Sequence, residues 1–202
     1  MYGATQTFSL VISEQKRCIQ MIDVLLLGGG NSRLRRLHLF DDAEDFSTDN
    51  LTTLDMNPNC NPDVLMDLEE ITTGGRLPFK DESFDQIHAY DVLEHVGKQG
   101  DWKGFFAEFE EYHRVLRVGG LMYILVPIGR DAFADPGHTR FFSRNHFEFL
   151  SQSFNKQSDL KPGELSVRTD YSWYWKKNFD VMALNEFSTR IGTILRKTKC
   201  DK

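Results

Sequence analysis

The stretch Val24-Leu25-Leu26-Leu27-Gly28-Gly29-Gly30-Asn31-Ser32-Arg33-Leu34 constrains this chain more than any other. Four apolar residues run straight into three glycines. A short unbroken apolar run fits a strand covered on both faces, as in a parallel sheet. The glycines permit positive φ and a close approach of the backbone to a ligand. Asn31 or Ser32 can then cap a helix that opens near Arg33. The unit is strand, glycine-rich turn, helix N-terminus. In open α/β sheets, ligands bind outside the carboxyl ends of the strands, where such a turn sits. Gly28 and Gly30 meet the first two glycines of the dinucleotide fingerprint, but Arg33 stands where the third would be. That third glycine lets the helix pack closely on the strand, so its loss argues against a pyrophosphate-binding dehydrogenase. A nucleoside without phosphates fits better. A tight turn with no ligand is the plain alternative.

At 202 residues the chain reads as a single domain over 1–202, with 1–21 as an N-terminal arm. Thirty acidic against 24 basic residues give a net charge of −6, which leaves no general footprint for a large nucleic acid. Cys18, Cys60 and Cys200 are too far apart for a zinc site or a disulfide framework, so no metal is expected and the thiols read as reduced. No apolar run approaches the roughly 20 residues of a membrane span. Without a signal-peptide pattern, the expected setting is cytoplasmic.

Further along, Leu51 to Asp55 reads as a second strand ending in an acid, 27 residues after Gly28. An acid near that spacing can accept hydrogen bonds from ribose hydroxyls. Asp63 to Leu68 reads as a third short strand, with Asp67 placed to accept from an exocyclic amine. Either aspartate could instead be a helix cap or a turn residue. Gln86 to Ala89 or Tyr90 is a fourth strand, followed by Asp91-Val92-Leu93-Glu94-His95-Val96. Trp102 to Leu116 carries aromatic residues at helical spacing, a stripe expected to be core. Gly119 and Gly120 are expected to cap that helix. Leu121 to Pro127 is an apolar strand, and Asp131 to Phe142 lacks periodicity. Ser143 or Asn145 opens a short helix, and Phe179–Phe187 and Arg190–Leu195 read as a strand pair. A helix from about Ser32 to Phe40 completes the pattern. Residues 155–178, with Lys161-Pro162-Gly163 and the aromatic run Tyr171-Ser172-Trp173-Tyr174-Trp175, form a long connection that suits a substrate lid.

Taken in order, these segments resemble a class I S-adenosylmethionine (SAM)-dependent methyltransferase, in a small-molecule branch like methyltransferase type 11. The resemblance covers roughly residues 22–150. Leu26-Leu27-Gly28-Gly29-Gly30-Asn31 is similar to the family's glycine-rich first motif, with Gly29 in place of the usual Cys. Leu77-Pro78-Phe79, Ser83-Phe84-Asp85 and Val92-Leu93-Glu94-His95-Val96 match stretches of the branch, and Val115-Leu116-Arg117-Val118-Gly119-Gly120-Leu121 matches the run before the fifth strand. The resemblance implies a Rossmann-like, mostly parallel seven-stranded α/β sheet of order 3-2-1-4-5-7-6, strand 7 antiparallel, with helices on both faces. It implies SAM as cofactor, held by Gly28, Gly29, Gly30, Asn31, Asp55, Met56, Asp67, Leu68, Tyr90 and Asp91.

The implied activity is methyl transfer to an O or N nucleophile of a small molecule or a glycan- or nucleotide-type metabolite. The sulfonium is already a good leaving group, so the protein contributes mainly position and, where needed, a base. His138, after strand five, and His95, after strand four, are the candidate bases, because an imidazole titrates near neutrality. Either could be structural. A catalytically inactive SAM-fold binding or scaffold protein is the alternative function.

Overall fold

The computed structural model describes residues 21–33, 50–156, 169–186 and 188–199. The N-terminal arm, most of the helix expected over 32–40 and the Lys161-Pro162-Gly163 turn lie outside these residues. Seven strands, β1 (Asp23–Leu27), β2 (Asn50–Asp55), β3 (Val64–Leu65), β4 (Phe84–Tyr90), β5 (Leu116–Pro127), β6 (Asn178–Glu186) and β7 (Arg190–Thr198), form one sheet. Its order is β3-β2-β1-β4-β5-β7-β6. The first five strands pair in parallel, and β7 runs antiparallel to both neighbours. Helices α1 (Glu69–Thr72), α2 (Trp102–Val115), α3 (Arg144–Glu148) and α4 (Gln152–Lys156), with short 3-10 turns at Pro58–Cys60, Leu93–His95 and Gly129–Phe133, complete the described elements.

The apolar run of β1 is buried on both faces. Leu25 and Leu27 join the main core with Ile87, Phe109, Tyr112 and Ile124, while Val24 and Leu26 join a second cluster with Tyr90 on the other face. Alternation along a strand sends successive side chains to opposite faces, so four consecutive apolar residues are what such a position needs. The aromatic stripe of α2 is core, with Phe105, Phe106, Phe109 and Tyr112 all buried.

Two local expectations are corrected. The third strand is only Val64–Leu65, because Asp63 turns back to accept from both the amide and the hydroxyl of Thr53, at 2.8 Å each. These bonds hold the Asp63 carboxyl below its ordinary pKa. Helix α2 has no glycine cap. It ends because Leu116 turns extended (φ −78°, ψ 138°) and at once begins β5. Gly119 then takes φ +84° inside the strand's irregular start, where the pairing jumps from Phe84–Leu116 to Gln86–Leu121. Ser143 does open α3, its amide donating to His146 Nδ1 at 3.1 Å.

Parallel strands give the sheet two unlike edges. At the amino edge Arg117 donates to Asp23 at 2.7 Å and to Asp85 at 2.6 Å, tying the starts of β1 and β4 to that of β5. The carboxyl edge carries the glycine turn, the ends of β2 and β3 and the segments that follow β4 and β5.

Candidate functional site

The glycine turn is held by its own amides. Gly28 N donates to Leu54 O at 2.8 Å, and Gly30 N donates to Asp55 Oδ2 at 2.9 Å. Gly28 and Gly30 have φ of +58° and +55°, the left-handed region in which only glycine is unstrained. A Cβ at Gly28 would stand 2.3 Å from Val92 Cγ2, so this glycine lets the segment after β4 close on β1. At Gly30 a Cβ would meet nothing within 4 Å, leaving that face of the turn open.

Asp55 is therefore fixed by the fold. Its other oxygen accepts from the Asn57 amide at 2.9 Å. A carboxylate offers about four lone-pair directions, so each oxygen can take a further donor. Asp67 accepts from the Glu69 amide at 2.9 Å, opening α1, while its carboxylate stays exposed. The N-cap position of α1 is Leu68, without a side-chain cap, so Asp67 is a turn residue just before the helix. A cleft of about 270 Å³ runs along this edge, lined by Gly28, Leu54, Asp55, Met56, Met66, Asp67, Leu68, Asp91, Val92, His95 and Val96. Six of the ten sequence-derived cofactor positions thus meet in one cleft: Gly28, Asp55, Met56, Asp67, Leu68 and Asp91. Gly29, Gly30 and Asn31 form the adjoining turn. Tyr90 instead packs in the second cluster, its hydroxyl 2.5 Å from His88 Nδ1.

The segments after β4 and β5 converge. Thr139 N and Arg140 N both donate to Glu94 O, at 2.9 and 3.1 Å. This seats His138 against His95, ring centroids 4.7 Å apart and planes at 72°. The two candidate histidines are neighbours in one site. His95 is exposed and lines the cleft, whereas His138 is mostly covered. Beneath them lies Glu94, 1% exposed, neither of its carboxylate oxygens hydrogen-bonded. Burial, with the negative charges of Asp91 and Asp135 nearby, pushes the Glu94 carboxyl up to about 8. Glu94 lies within the stretch Val92–Val96, but the sequence alone assigns it no role. The available signal was an acid directly before a histidine at a strand's carboxyl end. Arg190, at the start of β7, was also missed. It pairs with Asp91 at 2.9 Å and Asp131 at 3.1 Å, bracing both segments.

The aromatic run 171–175 sits elsewhere. Trp175 is buried, stacks on Phe106 at 5.2 Å and donates from Nε1 to Leu150 O at 2.9 Å. Tyr171 lines a separate hollow of about 190 Å³ with Trp102, Phe105, Arg140 and His146. Trp173 is 63% exposed. No helix among the described residues is long and apolar enough to cross a membrane.

Comparison with known proteins agrees with this architecture. A family model described as a methyltransferase domain matches residues 41–124. No curated protein matches the chain. Among solved structures, the PH0226 protein of Pyrococcus horikoshii is similar, with 13% identity, 91% of this chain and 85% of that one covered, and a TM-score of 0.53. The 1,6-didemethyltoxoflavin-N1-methyltransferase of Burkholderia thailandensis, solved with 1,6-didemethyltoxoflavin and S-adenosylhomocysteine, has 13% identity, coverage of 89% and 72% and a TM-score of 0.52. A SAM-dependent methyltransferase from Archaeoglobus fulgidus has 12% identity, coverage of 88% and 86% and a TM-score of 0.53. At such identities these structures establish the fold alone.

Motif order, the match over residues 41–124 and the sheet order agree with a class I methyltransferase fold. What the family model matches over residues 41–124 is a methyltransferase domain, similar to the type 11-like SAM-dependent methyltransferases, and SAM is the cofactor that this likeness implies. The residues present suit that cofactor. The turn has an open face, Asp55 is a fixed carboxylate with acceptor capacity to spare, and Met56, Met66 and Leu68 give the cleft apolar walls.

Proposed function

We propose that this chain transfers a methyl group to an oxygen or nitrogen nucleophile of a small molecule or a glycan- or nucleotide-type metabolite, at the carboxyl edge of the sheet. The observation that carries the reading is the meeting of His95 and His138 beside a cleft whose other wall is the glycine turn and Asp55. SAM supplies an electrophilic methyl on a positively charged sulfur. Asp55 and Asp67 supply acceptors for its polar groups, with Gly28, Gly29, Gly30, Asn31, Met56, Leu68 and Asp91 completing the binding set, while Tyr90 stays in the core behind the cleft. An imidazole at His138 or His95 takes the acceptor's proton, which aligned reactants need only when the nucleophile is a hydroxyl or a protonated nitrogen. The B. thailandensis structure, which binds a small heteroaromatic acceptor, supports this scale of substrate.

We place the acceptor-side wall at Asp131–Arg140, which carries His138; the aromatic run lies apart, beside the hollow that Arg140 and Tyr171 line, as part of a lid over residues 155–178. The large exposed surface of Trp173 supports it. Turnover over a panel of acceptors, detected as S-adenosylhomocysteine, tests the proposal. His138→Ala is expected to cut kcat while leaving SAM affinity near wild type, as for a group used only in the chemical step. Trp173→Ala is expected to raise the acceptor KM. Equal loss of SAM affinity and turnover in His138→Ala would make the residue structural.

A further inference from the structure

The histidine pair carries a feature that proton transfer alone does not use. His138 Nδ1 lies 2.9 Å from Ala132 O, and His95 Nδ1 lies 3.0 Å from Gly137 O. A carbonyl oxygen only accepts, so each Nδ1 carries the proton and each neutral ring presents a lone pair at Nε2. Metal-binding histidines are held in this way, one nitrogen pinned by a carbonyl and the other on the ion. The third member of the cluster is Glu94, whose two carboxylate oxygens are buried without a hydrogen-bond partner. Buried polar atoms are nearly always satisfied, so such a carboxylate calls for an occupant beside it. Of the nearby guanidinium groups, Arg190 pairs with Asp91 and Asp131, and Arg140 pairs through Nη1 with Glu108. His138 Nε2 stands 3.9 Å from Glu94 Oε1, and one donor atom from each of Glu94, His95 and His138 lies within 4.8 Å of the other two.

We propose that Glu94, His95 and His138 bind a divalent transition-metal ion, zinc or one of its near relatives, at the margin of the cofactor cleft. Two imidazoles and one carboxylate are a ligand set that leaves coordination positions open for a substrate. Magnesium and calcium prefer all-oxygen surroundings and suit it less well. Bonds of about 2.0–2.2 Å would draw the donor atoms together by roughly 1 Å, within reach of a side-chain rotation at exposed His95. Because His95 also lines the cleft, an ion here borders the place where the acceptor is proposed to bind. An acceptor hydroxyl on the ion would release its proton to solvent at a lower pH than when free. Only this last role rests on the proposed methyl transfer. Ion binding stands by itself.

The test is titration of cobalt(II) into the metal-stripped full chain, followed by its visible d–d absorption, with zinc calorimetry in parallel. One ion per chain is expected. His95→Ala, His138→Ala and Glu94→Gln should each weaken binding by more than the roughly 10–100-fold that loss of a supporting partner costs. Circular dichroism identifies variants that fail to fold. His95→Ala changes an exposed side chain and keeps the test decisive if the two buried variants do. A wild-type chain without saturable cobalt absorption would overturn the site, as would a folded His95→Ala with unchanged affinity. SAM calorimetry on the same samples separates the two proposals. SAM binding without metal binding overturns the ion site alone, and metal binding without SAM binding overturns the methyl-transfer reading alone.

Discussion

The two edges of the sheet handle charge in opposite ways. At the amino edge every principal charge is answered. Arg117 bridges Asp23 and Asp85, and Arg114 donates to Glu111, Asp81 and the carbonyls of Leu77 and Phe79. Lys197 reaches Leu116 O at 2.8 Å and Glu82 at 3.3 Å. Hydrogen bonds from Asn50 and Arg117 hold the Asp23 carboxyl below its ordinary pKa, the mark of a charge that serves the fold. At the carboxyl edge the Glu94 carboxylate is more deeply buried, accepts no hydrogen bond among the described residues, and is pushed the other way. A fold tolerates such a group where it serves something other than stability, and perturbed carboxyls gather at functional sites for that reason. Substitutions at the amino edge should therefore read out in stability, and those at the carboxyl edge in ligand binding.

The largest effect is expected at Gly28→Val. The new Cβ would clash with Val92 and force a β-branched residue into left-handed backbone, closing the turn on the cleft. SAM binding should be abolished, and calorimetry showing wild-type affinity in a folded variant would break the assignment of this edge.

Next comes a pH effect from the amino-edge side. His113 on α2 is buried against Phe179, and burial, with Lys197 and Lys177 nearby, lowers its pKa to about 4. The folded state thus prefers the neutral ring. Its contribution is complete above the ordinary histidine pKa of about 6.5 and is lost as pH falls from there toward 4. Urea unfolding should show wild type losing about 2–3 kcal/mol more than His113→Leu between pH 7 and pH 4.5. Parallel curves would show that the ring charges freely in the fold.

Asp55→Ala should weaken SAM binding by about 1–3 kcal/mol, the scale for a charged hydrogen-bond partner. Asp67→Asn should cost less, because the amide keeps one acceptor oxygen. If Asp67→Asn and Asp67→Ala both leave SAM affinity unchanged, Asp67 only opens α1.

The smallest effect sharpens the contrast. Arg117→Leu removes two half-exposed ion pairs and should cost about 1 kcal/mol of stability with no change in SAM affinity. A SAM defect in that variant would mean that the two edges are coupled.

The legible parts of the chain were those set by local pattern. Val24–Leu27 suits a strand covered on both faces, and the aromatic spacing of α2 suits a buried helix face, as both are in the fold. The motif residues Gly28, Asp55, Met56, Asp67, Leu68 and Asp91 meet in one cleft because strand ends share an edge whatever the side chains do. What sequence could not show depended on tertiary partners. Asp63 shortened β3 by bonding to Thr53 ten residues back. Gly119 looked like a helix cap, but Leu116 paired with Phe84 and drew the chain into β5 before any cap formed. His95 and His138 are separate candidates in the sequence, and long-range bonds such as those from Thr139 and Arg140 to Glu94 O and from His95 to Gly137 O bring them together. The burial of Glu94 follows from that closure. Arg190 was invisible because its two partners lie 99 and 59 residues away.

Hydrogen–deuterium exchange with and without SAM tests the central claim most directly, because it reads both edges in one sample. Protection is expected at the amides of Gly28–Asn31, Asp55–Asn57 and Asp91–Val96, with Asp23, Asp85 and Arg117 unchanged. Protection confined to the amino edge, or no protection at the glycine turn at saturating SAM, would contradict the account.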